Sequence, residues 1–223
     1  AGDLVSIFVF QNGGRLVSPD GTRITINSPE AVGAVQFLAD MVLEHRVGWP
    51  GGAPWEGAHG IVTGRTAMAY TGDWNLGAMA EWDPDNAHAL QVAIPAGNVN
   101  NSGFLYVNKW IMSSQTQNPE AAWKWIEFVS RPEIMYELSR LNSFLPPRRS
   151  ALIGSPFTDD PRWGVIFASS EQTIPLPGNV YNLARVMTHL SQATAKVFNR
   201  EEPVTTALEN AAQQAAIEVF GGN

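Results

Sequence analysis

"GRTAMAYTGDWNLGAM", residues 64–79, changes period at its midpoint. Thr66 to Thr71 is compact, apolar and partly β-branched with no helical face, which predicts a buried strand. Past Gly72, the run from Asp73 to Met79 reads as the first turns of a helix. A strand that feeds a helix through a glycine leaves free backbone N–H groups at the carboxyl end of a sheet, where α/β folds bind ligands. Gly72 permits a close backbone approach. Asp73 is either the cap of the helix or an acceptor for ligand hydroxyls, and capping is the more general use of such an aspartate. Trp74 then offers a flat apolar face at the helix mouth, of the kind that lies against a sugar ring.

Composition narrows the classes. The chain has 223 residues, room for one large domain or two small ones with a sizeable core. Apolar residues make up 44% and charged residues 16%, which argues against disorder. The net charge of −7, with Arg148-Arg149 as the only adjacent basic pair, excludes nucleic acid as the expected partner. Cysteine is absent, so disulfides, thiolate metal sites and cysteine nucleophiles are excluded. No apolar run approaches the ~18 residues of a spanning helix. The opening "AGDLVSIFVFQNGG" lacks the basic start of a secretory signal, and the chain is expected to be soluble and a processed or cut product. Most of the eight tryptophans are expected in the core or at its edge, leaving the platform role to one at a helix mouth or in a loop.

The flanking chain reads as α/β with more helix than strand. "LVSIFVFQNGG" predicts a helix closed by a left-handed glycine, so Gly13-Gly14 is a cap and not a phosphate loop. Pro19-Asp20-Gly21 predicts a turn between two short extended pieces. Ser28, Pro29 and Glu30 open a helix whose buried stripe is Ala31, Ala34, Val35, Leu38, Met41 and Val42. "HALQVAIP" at 88–95 and "FLYVNKWIMS" from Phe104 read as strands around a Gly/Asn-rich connector at 96–103. Asn118 and Pro119 start a second helix with Ala122, Trp125, Ile126 and Val129 inward, and Ser130 with Glu133 predicts a capping box for a third ending near Leu141. "SFLPPRRSALIGSPFTDDPRW" reads as loop and "TIPLPGN" at 173–179 as an extended crossing. Two closing helices run from about Asn179 to Asn199, with Leu183, Val186, Met187 and Leu190 inward, and from near Pro203, with Val204, Ala207, Leu208, Ala211 and Ala215 inward.

Catalytic and metal constellations are missing. His45, His59, His88 and His189 stand at no metal-ligand spacing, and no cofactor fingerprint is present, so neither metal nor cofactor is expected. No G-x-S-x-G elbow occurs. Asp83/Asp85 and Asp159/Asp160 sit beside prolines, where aspartate makes turns and caps.

Several stretches, in order, resemble the sugar-type extracellular solute-binding proteins of ABC importers, the maltose-binding-protein-like family. They are "QNGGRLVSPDGTRITINSPEAVGAVQFLADMV", "GRTAMAYTGDW", "VAIPAGN…SGFLYVNKWIMSSQTQNPEAAWKWIEFVSRPE" and "LPPRRSAL". The resemblance implies an α/β, type II periplasmic-binding-protein-like fold of two lobes that close on a ligand about a hinge. Residues 1–98 and 175–223 would be second lobe, 103–170 a helical remnant of the first, and 96–103 and 170–177 the hinge crossings. The family's N-terminal segment would be missing, exposing apolar surface around Trp123 and Trp125 that favours self-association.

Carried over residue by residue, Gly72, Asp73 and Trp74 match the ligand-contacting mouth. Ser102 and Gly103 match a small-residue turn whose N–H groups meet ligand, and Tyr181 matches an aromatic stacking position to within a residue or two. Arg148, Asn101 and Asn179 are weaker candidates, Arg148 because "PPRR" more often opens a solvated helix. The implied function is non-catalytic carbohydrate binding outside the cytoplasm, periplasmic or lipid-anchored, with delivery to the membrane permease. The rival readings are a carbohydrate-active enzyme fragment, a solute-binding protein for a glycerophosphodiester or polyamine, and a bare interaction module.

Overall fold

The computed structural model describes residues 2–48, 57–173 and 182–221. Its helices are α1 (Gly2–Gln11), α2 (Pro29–Leu43), α3 (Gly57–Val62), α4 (Trp74–Trp82), α5 (Pro119–Val129), α6 (Pro132–Asn142), α7 (Pro161–Ser170), α8 (Leu183–Phe198) and α9 (Val204–Phe220). They fall into two compact units, one of residues 1–56, 95–105 and 172–223, the other of residues 57–94 and 106–171. The second unit takes in 57–94, which the sequence grouped with 1–56. Specific bonds hold them there: Arg162 Nη1 donates to the Ala87 carbonyl at 2.8 Å, and the Leu145 N–H donates to Asp73 at 2.6 Å.

In the first unit, α1, α2, α8 and α9 surround one core of Val9, Leu16, Ile26, Val35, Val186, Leu190 and Leu208. Local chemistry sets each helix. Gly13 at φ +83° ends α1, with the Gly14 N–H on the Val9 carbonyl at 2.8 Å. That is the left-handed glycine stop expected from sequence. Gly14 has a different reason to be glycine, because a Cβ there would stand 2.8 Å from Val9 Cγ1. Ser28 caps α2 by accepting the Ala31 N–H at 3.3 Å, with Pro29 in the first turn. The α2 stripe is Ala31, Ala34, Val35 and Ala39; Leu38 packs at the core's edge, while Met41 and Val42 are half-buried. The inward residues expected for α9 are all buried, and α8 buries Val186 and Leu190 with Leu183 and Met187 at the edge. Asn182 precedes α8 in the left-handed region and the described helix starts at Leu183; the expected start near Asn179 lies outside the described residues. The turn at Pro19–Gly21 forms, with the Gly21 N–H on the Ser18 carbonyl at 2.8 Å.

The expected strands do not form among the described residues. Pairing there is limited to isolated bridges, Val17 with Ile24 antiparallel and one at Phe104. Segments 66–71, 88–95 and 105–112 make no ladder, and Met68 and Ile111 are exposed. A strand has no hydrogen bonds of its own and exists only by pairing. The part of 88–95 nearest its start is instead a single tight turn at Ala87–Ala89.

The second unit has a thinner core. Met79 and Ala87 pack with Ile61, Val62 and Leu90, and Phe157 meets the buried Trp163 edge-to-face at 4.7 Å. Helix α7 begins within the last residues of the loop-rich stretch and runs beyond it: Asp160 caps it through the Arg162 N–H at 2.9 Å and Pro161 opens it. The Arg162 guanidinium on Asp160, at 2.6 Å, holds that carboxyl below its usual range. Asp83 likewise binds Asn86, as the turn reading of the paired aspartates implies. The Ser130–Glu133 capping box is absent: Pro132 fixes the first turn of α6, Arg131 becomes the cap position, and no side chain caps it. Asn118 occupies the cap of α5 without a side-chain bond. Tryptophan burial also departs from expectation. Among the described residues Trp163 is 3% exposed, whereas Trp74, Trp82, Trp110, Trp123 and Trp125 are all exposed; Trp125, at 56%, leaves its expected inward place, while exposed surface around Trp123 and Trp125 is what the resemblance implied.

Candidate functional site

The mouth of α4 is built by a tight turn. The Asn75 N–H reaches the Gly72 carbonyl at 3.2 Å and the Leu76 N–H the Asp73 carbonyl at 2.9 Å. The Trp74 N–H goes to Asp73 Oδ1 at 3.1 Å. These first-turn N–H groups, expected to be free for ligand, are therefore satisfied inside the chain. The turn closes i to i+3, which consumes donors that a helix opening off a strand leaves unpaired.

Gly72 has a specific steric role. The space a Cβ would need is filled by the outer edge of the Trp74 six-membered ring, atoms Cε3, Cζ3 and Cη2. The close approach expected at this glycine is made by the chain's own tryptophan. Trp74 is thereby anchored along one edge and stays 44% exposed.

Asp73 caps the turn and also reaches across the unit, accepting the Leu145 N–H on Oδ2 at 2.6 Å. Burial raises its carboxyl above the usual carboxylate value, opposed by the Leu145 and Trp74 amides. Four residues on, Gly77 faces Ser143, whose side chain fills the place of a Cβ. Ser143 lies in the left-handed region at φ 54° and ends α6. Sequence reasoning missed Leu145, Ser143 and Gly77. The available signal was Gly77 itself, because a glycine within a helix usually marks close packing.

Of the other predicted residues, Arg148 lies three positions beyond Leu145 but gives Nη1 to the Ser130 carbonyl at 3.0 Å, closing the end of α5. Asn101, Ser102 and Gly103 belong to the first unit. There the connector is tied to the end of α1: the Val99 N–H donates to the Gln11 carbonyl at 2.8 Å, and Gln11, 2% exposed, donates Nε2 to the Ser102 carbonyl at 2.9 Å. The Ser102 N–H is given to Asn100 Oδ1 at 2.9 Å, and Asn101 Oδ1 accepts the Gly97 N–H at 3.0 Å. Ser102 is buried, and its N–H points into the connector's own turn instead of outward. Gly103 faces the Thr173 methyl at 3.8 Å. Asn179 and Tyr181 lie outside the described residues. Among the described residues no cluster of three or more histidines and carboxylates could hold a metal, and no helix is long and apolar enough to cross a membrane.

Residues 3–164 match the family model of the bacterial extracellular solute-binding proteins, and the chain belongs to that family. An uncharacterized ABC transporter extracellular-binding protein of Pyrococcus horikoshii is 29% identical over 100 residues, 44% of this chain and 22% of that protein. Among solved structures, an ABC transporter solute-binding protein from Thermotoga lettingae bound with α-D-tagatose superposes with a TM-score of 0.82 at 20% identity, covering 96% of this chain and 55% of that one. The sugar-binding protein MalE of Xanthomonas citri gives 0.82 at 19% identity, over 99% and 56%. UgpB of Mycobacterium tuberculosis, solved with glycerophosphocholine, gives 0.72 at 17%, over 96% and 54%. The chain thus spans a little over half the length of these structures. They establish a fold of the type II periplasmic-binding-protein class, as the resemblance implied, of which helices and isolated bridges form among the described residues.

Proposed function

We propose that the chain is part of an ABC importer's solute-binding protein that takes a sugar or oligosaccharide outside the cytoplasm and passes it to the membrane permease. The observation that carries this reading is Trp74: a half-exposed indole, anchored on Gly72 at a helix mouth, in a family of solute-binding proteins. An aromatic plane with a few fixed polar groups is the usual composition of a sugar pocket. Asn101, Gly103, Asn179 and Tyr181 are proposed as contributors from elsewhere in the chain, and Arg148 as a weaker one; the Ser102 N–H, held by Asn100, is not among them. The mechanism is hinge closure on the ligand. Binding without turnover is proposed on the strength of the family.

Calorimetric titration of the protein with mono- and oligosaccharides tests the reading. Trp74→Ala should weaken sugar binding about 10- to 100-fold, from lost stacking and buried area. Sugar affinity that survives Trp74→Ala would overturn the platform role. A glycerophosphodiester is the second reading, supported by the fold shared with the glycerophosphocholine complex. Arg148, the basic side chain nearest along the chain to the Leu145 contact, is bonded to Ser130, which weakens the case for a phosphate here.

A further inference from the structure

We propose that Asp73 is a positioning residue that fixes Trp74 through the Leu145 amide and does not itself touch the ligand, an inference that rests on the reading of Trp74 as the platform. Its two carboxylate oxygens bridge two backbone amides from distant parts of the chain. Oδ1 takes the Trp74 N–H at 3.1 Å and Oδ2 the Leu145 N–H at 2.6 Å. Short, charge-assisted bonds of this kind are roughly twice as strong as neutral ones.

The choice of Leu145 is forced by its neighbours. The Phe144 N–H is already given to the Ser139 carbonyl at 3.0 Å, and Pro146 and Pro147 have no N–H to give. Leu145 therefore carries the single donor in 144–147 that can meet the carboxylate. A second contact one helical turn along, Gly77 against Ser143, pins the same face of α4 to the same turn. With α4 held at Asp73 and Gly77, and the indole edge held on Gly72, Trp74 can move only by breaking one of these contacts.

The test compares wild type, Asp73→Asn, Leu145→Pro and the double variant. Leu145→Pro deletes the donor while leaving the carboxylate in place. The first readout needs no ligand: the indole N–H resonance of Trp74, identified by its loss in Trp74→Phe, and amide exchange at Leu145. Asp73→Asn should speed Leu145 exchange about 10-fold or more. Both single variants should shift the Trp74 resonance in the same direction. An unmoved indole in the two single variants would overturn the proposal.

The second readout is maltose titration. Positioning predicts that the losses in Asp73→Asn and Leu145→Pro do not add in the double variant. Additive losses, or a loss confined to Asp73→Asn, would mean that Asp73 contacts sugar directly and would overturn the proposal. If wild type takes up no maltose while the indole moves as expected, the positioning role stands and the sugar reading is what fails.

Discussion

Gly72→Ala is the sharpest perturbation of this site, because the added methyl has nowhere to go while Trp74 stays in place. The Gly72 backbone lies outside the left-handed region, so alanine brings no conformational strain of its own. The cost is therefore that of displacing the indole. Full burial of a tryptophan removes roughly 200 Å² from water. With 44% of Trp74 exposed, displacement forfeits at most about 110 Å², or about 3 kcal/mol at ~25 cal/mol per Å². The freed ring recovers part of this elsewhere, and alanine restricts the unfolded chain by about 0.4–1 kcal/mol in the opposite direction. The expected net loss is about 1–2 kcal/mol. Urea unfolding, read as a lower midpoint at unchanged slope, measures it. Gly164→Ala is the matched comparison, since a Cβ at Gly164 in α7 meets nothing within 4 Å. That variant should gain about 0.5–1 kcal/mol from helix propensity. If Gly72→Ala unfolds at the same urea concentration as Gly164→Ala or higher, the indole is not where the argument requires it.

Other expectations follow from single contacts. Ser28→Ala should cost about 1 kcal/mol by removing the α2 cap, and Ser28→Thr should keep most of it, as thermal melts would show. Arg162→Met should cost about 1.5–3 kcal/mol, because its guanidinium joins Asp160 to the Ala87 carbonyl; unchanged amide exchange at residues 87–90 would count against that link. Asp20 is held at about 2, first by the Ser18 hydroxyl and then by Thr22. A depressed carboxyl stabilises the fold above its unfolded value and loses that contribution as the pH falls toward 2. The stability gap between wild type and Ser18→Ala should thus narrow from pH 5 to pH 2, leaving the part due to the Arg23 N–H that Ser18 Oγ also accepts, and a gap independent of pH would refute the assignment.

The helices were readable because a helix closes its hydrogen bonds within itself. Ser28-Pro29-Glu30 and Gly13-Gly14 act over four or five residues, and each fixed a boundary of α2 or α1. The same grammar is present at Asp160-Pro161, where the start of α7 lies at the end of a stretch whose prolines and glycines favour loop. Strand readings failed for the complementary reason. The apolar run at 66–71 satisfied every local criterion, but pairing depends on residues far away in sequence. Residue type and periodicity placed Trp125 inward, whereas the resemblance implied the exposed apolar surface around Trp123 and Trp125 that the structure has.

The site was legible in its members and not in their use. A glycine before a helix says that something approaches the backbone; it does not say what, and here the approaching group is the indole two residues on. An aspartate at a helix start has cap and ligand readings that no local pattern separates. The structure adds a further use, the amide of Leu145, seventy-two residues away, which the carboxylate holds. Even that contact leaves a trace in the sequence. A lone N–H donor followed by Pro146-Pro147 leaves a cross-chain acceptor one place to bind. A buried or half-buried aspartate elsewhere in the chain is then the natural partner. The same reasoning limits Ser102, whose small size fits a turn that binds ligand and fits equally a turn packed on Gln11. Small residues record where the backbone is crowded. Only the long-range hydrogen bond tells whether the neighbour is ligand or protein.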